Sequence, residues 1–197
     1  ALSEFKVPFL DIAKRMNNIG INIVADEILI TNGSQQGLDF SGKLFLNEGD
    51  AVICESPSYI GALNSFRAYM PKFVEIPMDD DGMKMDELEK ALKNNPNAKF
   101  IYTVPTFQNP TARTMSLERR EKLVQLALEY NVPVLEDNPY GDLIYEGERI
   151  LPIKHFDTEG IVIYLGTFSK TFCPGLRIGW VAASPEILRK YVLAKQG

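Results

Sequence analysis

Residues 161–182, Ile161-Val-Ile-Tyr-Leu-Gly-Thr-Phe-Ser-Lys-Thr-Phe-Cys-Pro-Gly-Leu-Arg-Ile-Gly-Trp-Val-Ala182, hold two apolar runs separated by a loop rich in hydroxyls and closed by a Pro-Gly turn. In the first run, Ile161 to Leu165, every side chain is apolar or aromatic and nothing alternates. A strand of that kind is covered on both faces, as in a parallel sheet flanked by helices. Working outward, comparable short runs occur at 27–31, 51–54, 72–76, 99–104 and 132–135, and the quoted stretch closes with another at 176–182. Seven strands are therefore expected. Helical patterns fit 7–18, 34–46, 60–69, 85–94, 116–130 and 185–194. The segment from Ser116 has a weak cap but an expected buried face of Leu117, Leu123, Val124, Leu126, Ala127 and Leu128. Asp79-Asp-Asp-Gly82 reads as a solvated turn. This alternation of strand and helix predicts the α/β class, as a three-layer αβα arrangement around a mostly parallel seven-stranded sheet.

The 197 residues are 45% hydrophobic, enough for one domain with its own core. There are no internal repeats, low-complexity tracts or Gly/Ser linkers, and nothing points to a second domain within residues 1–197. Both ends lie against helical patterns, which predicts that the chain is a fragment. A formal net charge of −5 gives no general attraction to polyanions and argues against a nucleic-acid surface, leaving small molecules as the expected partners. Cys54 and Cys173 form neither a CxxC pair nor a disulfide framework, which suits a reducing cytoplasm. Cys173 is read as a packing residue. The single histidine, His155, argues against zinc and is expected in a surface turn. No apolar run reaches the ~20 residues that span a bilayer and no signal segment opens the chain, so a soluble cytoplasmic protein without membrane contact is expected.

Ligands of open α/β sheets bind beyond the carboxyl ends of the strands, and four such ends carry unusual polar residues. Thr31-Asn-Gly-Ser-Gln-Gln-Gly37 would put free helix amides and the Ser34 hydroxyl where a phosphate could sit, although Asn-Gly-Ser is also ordinary turn chemistry. Val104-Pro-Thr-Phe-Gln-Asn-Pro-Thr111 holds Asn109 between two prolines, as a ligand contact or as a turn initiator. In Val134-Leu-Glu-Asp-Asn-Pro-Tyr140 the carboxylate of Asp137 follows an almost wholly apolar strand and needs either a ligand or a helix to cap. Lys170 sits between a hydrophobic strand and a Pro-Gly turn, where desolvation would make it an amine nucleophile. The alternative is that it is simply solvated.

Together and in this order, the four stretches resemble the signature segments of fold-type I pyridoxal-phosphate enzymes, in particular the class I/II aminotransferases of the 2-aminoadipate and kynurenine aminotransferase group. Gly166-Thr-Phe-Ser-Lys170 with Pro174-Gly-Leu-Arg-Ile-Gly-Trp180 is the most specific part, and the resemblance covers essentially the whole chain. It implies that residues 1–197 are the large, pyridoxal 5′-phosphate-binding domain, with an N-terminal segment and a C-terminal small domain absent. Lys170 resembles the lysine that holds the cofactor as a Schiff base and then shuttles a proton between the substrate α-carbon and the cofactor. Asp137 looks like the carboxylate that keeps the pyridine nitrogen protonated, so that the ring can accept electrons. Tyr140 and Asn109 match the pair that hydrogen-bonds the 3-oxygen, and Tyr59 the aromatic stacked on the ring, with a core tyrosine as its alternative. For the phosphate the resemblance nominates Gly33, Ser34 and Gln35, then Thr167, Ser169 and Arg177, whose guanidinium suits bidentate contact.

Asn109-Pro-Thr-Ala112 departs from the family in having alanine where glycine is usual. No residue here corresponds to the arginine that binds the substrate carboxylate. The activity implied is transfer of an amino group from an α-amino acid to a 2-oxo acid, by a homodimer, with this fragment alone inactive. Two rival readings share the cofactor residues. One is the effector-sensing domain of a GntR-type regulator of the MocR group, which a helix-turn-helix extension would reveal. The other is a different pyridoxal-phosphate activity such as a β-lyase.

Overall fold

The computed structural model describes residues 7–196. Helices and strands alternate along it as α1 (Val7–Asn18), β1 (Ile28–Asn32), α2 (Ser34–Phe45), β2 (Ala51–Ser56), α3 (Ile60–Arg67), β3 (Lys72–Asp79), β4 (Gly82–Met83), α4 (Met85–Asn94), β5 (Ala98–Thr103), α5 (Leu117–Tyr130), β6 (Val134–Asp137), β7 (Val162–Thr167), β8 (Ile178–Ala182) and α6 (Pro185–Gln196). The strands form one sheet in the order β1-β8-β7-β6-β5-β2-β3-β4. From β7 to β3 every pairing is parallel. Only β8 runs against both of its neighbours, β7 and β1, and β4 against β3. No helix among the described residues is long and apolar enough to cross a membrane.

The sheet has eight strands where seven were expected, because the acidic turn is more than solvated. Asp79 ends β3, Gly82 takes the positive φ that reverses the chain, and β4 pairs back onto β3 for two residues. Arg119 of α5 grips both carboxylate oxygens of Asp79, at 2.5 and 2.8 Å, and holds its pKa down at about 2. A two-residue strand leaves no periodicity to read.

The unbroken apolar runs are explained by helices on both faces. Ile163 and Leu165 of β7 point into a core shared with Leu38 of α2, Phe66 of α3 and Tyr191 of α6. Val162, from the same strand, points the other way, against Leu88 of α4 and Leu123 of α5. On that second face Tyr164, Trp180 and Ala182 meet Ile12 and Met16 of α1. Successive strand residues thus enter opposite cores.

The buried stripe of α5 differs from expectation. Leu117 and Leu128 are exposed, whereas Arg120 is wholly buried beside Leu123, Val124, Leu126 and Ala127. Its guanidinium donates to the carbonyls of Met115, Leu151 and Pro105 and to the Thr106 hydroxyl. The helix therefore fastens the loop that follows β5. Cys54 is buried and Cys173 half-buried, both as free thiols, and His155 is exposed in a short 3-10 turn, against the Gly20 carbonyl.

Candidate functional site

A cavity of about 170 Å³ opens at the carboxyl end of the parallel strands. Asp137, the last residue of β6, lines one part of it and is only 3% exposed. Its Oδ2 accepts a hydrogen bond from the Tyr102 hydroxyl at 3.0 Å, while Oδ1 has no partner. Burial pushes this carboxyl up to about 7; the phenol donor opposes the shift and the neighbouring Glu136 adds to it.

The part formed by the start of α2 and the loop from β7 to β8 has the opposite polarity. Gly33 caps α2 with φ of 72°, and its turn is closed by the Thr31 hydroxyl donating to the Gly33 carbonyl. A Cβ on Gly33 would lie 2.5 Å from Nη2 of Arg177, so the close seat of that guanidinium requires glycine. A Cβ on Gly179 would meet the Ser34 nitrogen at 2.5 Å, so glycine also lets the helix terminus approach β8. Arg177 donates to the Ser169 hydroxyl at 3.4 Å, and the Ser169 amide donates to Thr167 Oγ1 at 3.1 Å. Guanidinium, hydroxyls and helix N-terminus together make an anion site. Gln35 also lines the cavity, but its side-chain nitrogen is spent on Gly61 O and Ser65 Oγ.

Between these parts, Asn109 donates to the Tyr140 hydroxyl at 3.3 Å, both at the wall. Tyr59, preceding α3, lines the same space, and its phenol pKa is raised by burial and then by the nearby Asp137. Behind them lies a device absent from the sequence reading. Glu55, 2% exposed at the end of β2, accepts from the Thr103 hydroxyl, the Val104 amide and Gln108 Nε2. Gln108 also donates to the Pro57 carbonyl and accepts from Thr111. One buried carboxylate thereby braces the loops that carry Tyr59 and Asn109. Burial raises Glu55 to about 7, against those three donors.

Lys170 lines the cavity and is exposed, the solvated one of the two environments that the sequence left open. It lies in the turn after β7, beyond the end of that strand. Every other candidate side chain lines the same cavity: Ser34, Gln35, Tyr59, Asn109, Asp137, Tyr140, Thr167, Ser169 and Arg177, with Gly33 beneath Arg177. Tyr102, Glu55 and Gln108 were missed. A buried phenol inside the apolar run Phe100-Ile-Tyr102 needs a partner, and that was the available signal for Tyr102.

The donor set fits pyridoxal phosphate: the partnerless Oδ1 of buried Asp137 for a cationic ring nitrogen, the amide and phenol of Asn109 and Tyr140 for a phenolic oxygen, and the Arg177 cluster for the phosphate. No three metal-ligating side chains converge among the described residues.

Residues 10–196 match the family model of aminotransferase class I and II. The chain is 52% identical to aromatic-amino-acid aminotransferase 1 of Thermococcus litoralis, over 86% of this chain and 42% of the relative. Among solved structures it superposes on LysN, the alpha-aminoadipate aminotransferase of Thermus thermophilus complexed with N-(5′-phosphopyridoxyl)-L-leucine, with TM-score 0.90 and 40% identity over 96% of this chain and 48% of that one. It is also 35% identical to the uncharacterized HTH-type transcriptional regulator YisV of Bacillus subtilis, over 91% of this chain and 37% of the relative. The chain spans less than half the length of the curated relatives it matches.

Proposed function

The chain belongs to the aminotransferase class I and II family, and from that premise we propose that it is the large, pyridoxal-phosphate-binding domain of an enzyme that moves an amino group from an α-amino acid to a 2-oxo acid. The observation that carries this reading is the buried carboxylate of Asp137, with one oxygen held and the other open, in a cavity that also has an anion site and a lysine. The cofactor, when bound, supplies an aldehyde that takes an amine and a protonated ring that draws electrons from the α-carbon.

The residues of this chain divide the remaining work. Asp137 Oδ1 would accept a hydrogen bond from the protonated ring nitrogen and hold that proton in place. Asn109 Nδ2 and the Tyr140 hydroxyl hydrogen-bond the phenolic oxygen. Ser169, Arg177 and the first amides of α2 would hold the phosphate, Thr167 orders their loop, and Tyr59 would supply an aromatic face for the ring. Lys170 Nζ would be the amine that holds the cofactor's aldehyde carbon at rest and, once released by a substrate amine, the base that moves a proton to and from the substrate α-carbon. The relative named for aromatic amino acids and the neighbour named for alpha-aminoadipate support substrates with a long or aromatic side chain. A cytoplasmic homodimer is the setting this reading carries.

The test is an absorption spectrum of the protein with added pyridoxal phosphate, before and after borohydride. A band near roughly 360–430 nm that borohydride fixes as an adduct on Lys170, and that Lys170→Ala lacks, is the expected result. A folded protein with no adduct at Lys170 overturns the reading. Residues 1–197 alone are expected to bind cofactor with little or no turnover. The likeness to YisV supports effector sensing as the second reading; amino transfer by the full-length protein decides against it.

A further inference from the structure

We propose that Tyr102 is a positioning residue for Asp137: its hydroxyl occupies Oδ2, favours the charged carboxylate and leaves Oδ1 as the open acceptor for a cationic ring nitrogen. The last clause rests on the cofactor reading above; the first two concern this chain alone.

The geometry follows from strand register. On the parallel pair β5 and β6, Tyr102 stands opposite Leu135, so Asp137, two residues further, projects from the same face. Tyr102 is fully buried, with its ring edge-on to Phe66 at 5.6 Å between centroids. Packed in this way, the ring aims its hydroxyl at Asp137, 3.0 Å away. Burial first, and Asp137 second, hold the phenol well above its ordinary pKa, so it stays a donor wherever the protein is folded.

The surrounding groups do not substitute for it. Glu136, next in the chain, is occupied by the amides of Ile153 and Lys154 and by the charge of Arg120. Glu55 has donors of its own in Thr103, Val104 and Gln108, and is raised by burial and, least among its causes, by Asp137. Tyr59, Tyr140, Lys170 and Arg177 line the cavity without a recorded hydrogen bond to Asp137. Against burial and the neighbouring Glu136, the phenol is the donor that favours the charged form.

The test compares the full-length protein with Tyr102→Phe, both freed of cofactor. Infrared difference spectroscopy follows the protonated-carboxyl band of Asp137 with pH, the band being assigned by its loss in Asp137→Asn. Removing the donor is expected to raise the Asp137 midpoint by about 1 to 2 pH units and to weaken pyridoxal-phosphate binding at pH 7.5 on the order of tenfold, the adduct at Lys170 still forming. Should Tyr102→Phe not fold, fluorotyrosine at position 102 keeps the shape, strengthens the donor and is expected to lower the midpoint. An unmoved midpoint in a folded variant overturns the proposal and leaves Tyr102 a core residue. Failure of the cofactor reading looks different: no adduct at Lys170 in the unmodified protein, with the Asp137 midpoint still responding to position 102.

Discussion

Ala112 is the residue whose oddity was visible first and explained last. The sequence marks it as alanine where glycine is usual, and the structure gives it φ of 59°, the left-handed region in which a Cβ is strained. Its side chain is exposed, so nothing but backbone strain is at stake. Ala112→Gly is expected to stabilise the protein by about 0.5–1 kcal/mol in urea denaturation, strain relief exceeding the added freedom of the unfolded chain; a loss of stability would mean that the strain is not there. The legible residues were those that end strands or open helices, since a polar group placed after an apolar run stands out: Asp137, Asn109, Ser34 and Lys170. Tyr102 and Glu55 were hidden because their runs are otherwise apolar and their partners lie on other strands, 35 and 48 residues away in sequence.

At the scale of elements, β5, β6 and β7 were readable because side chains on both faces are buried, while β4 was not, being held by a turn and by Arg119 from a distant helix. The exposure of Lys170 is the complementary case, since the sequence around it does not say what packs over its loop. Helix α5 shows the same limit. A helical pattern counts Arg120 as surface, yet its five-donor head suits a cluster of carbonyls that only the tertiary fold assembles. Replacing it removes the guanidinium from the carbonyls of Leu151, Met115 and Pro105, the last of which keeps the Met115 amide, and takes from the buried Glu136 the larger of its two favourable charges, the other being Lys154. Arg120→Ala is therefore expected to cost about 3 kcal/mol or more, read from the denaturation midpoint; a cost within ~0.5 kcal/mol would show that water replaces the guanidinium.

For the molecule as a whole, buried carboxyls set a pH dependence, Glu136 being raised along with the two that follow. Glu55 and Asp137 are each raised to about 7. Between the ordinary carboxylate range and pH 7, the folded protein retains protons that the unfolded chain has released. The stability from these groups is thus full at low pH and lost as pH rises through about 7. Asp79, lowered to about 2, contributes no slope between pH 5 and 8. The cofactor-free protein is expected to melt more than about 3 °C lower at pH 8 than at pH 5, with bound pyridoxal phosphate reducing the difference; a flat or rising profile in thermal melts would contradict the buried state of both groups. The antiparallel course of β8 bears on how the site is assembled in time. Strands β7 and β8 are joined directly by the loop that carries Ser169, Lys170 and Arg177, so this hairpin closes over a short stretch of chain. Arg177 meets Gly33 only when β1, from the start of the fold, docks against β8 near its end. Contacts that close large loops form late, so in a refolding experiment the lysine loop precedes the anion site, and capacity for phosphate arrives with the slowest phase.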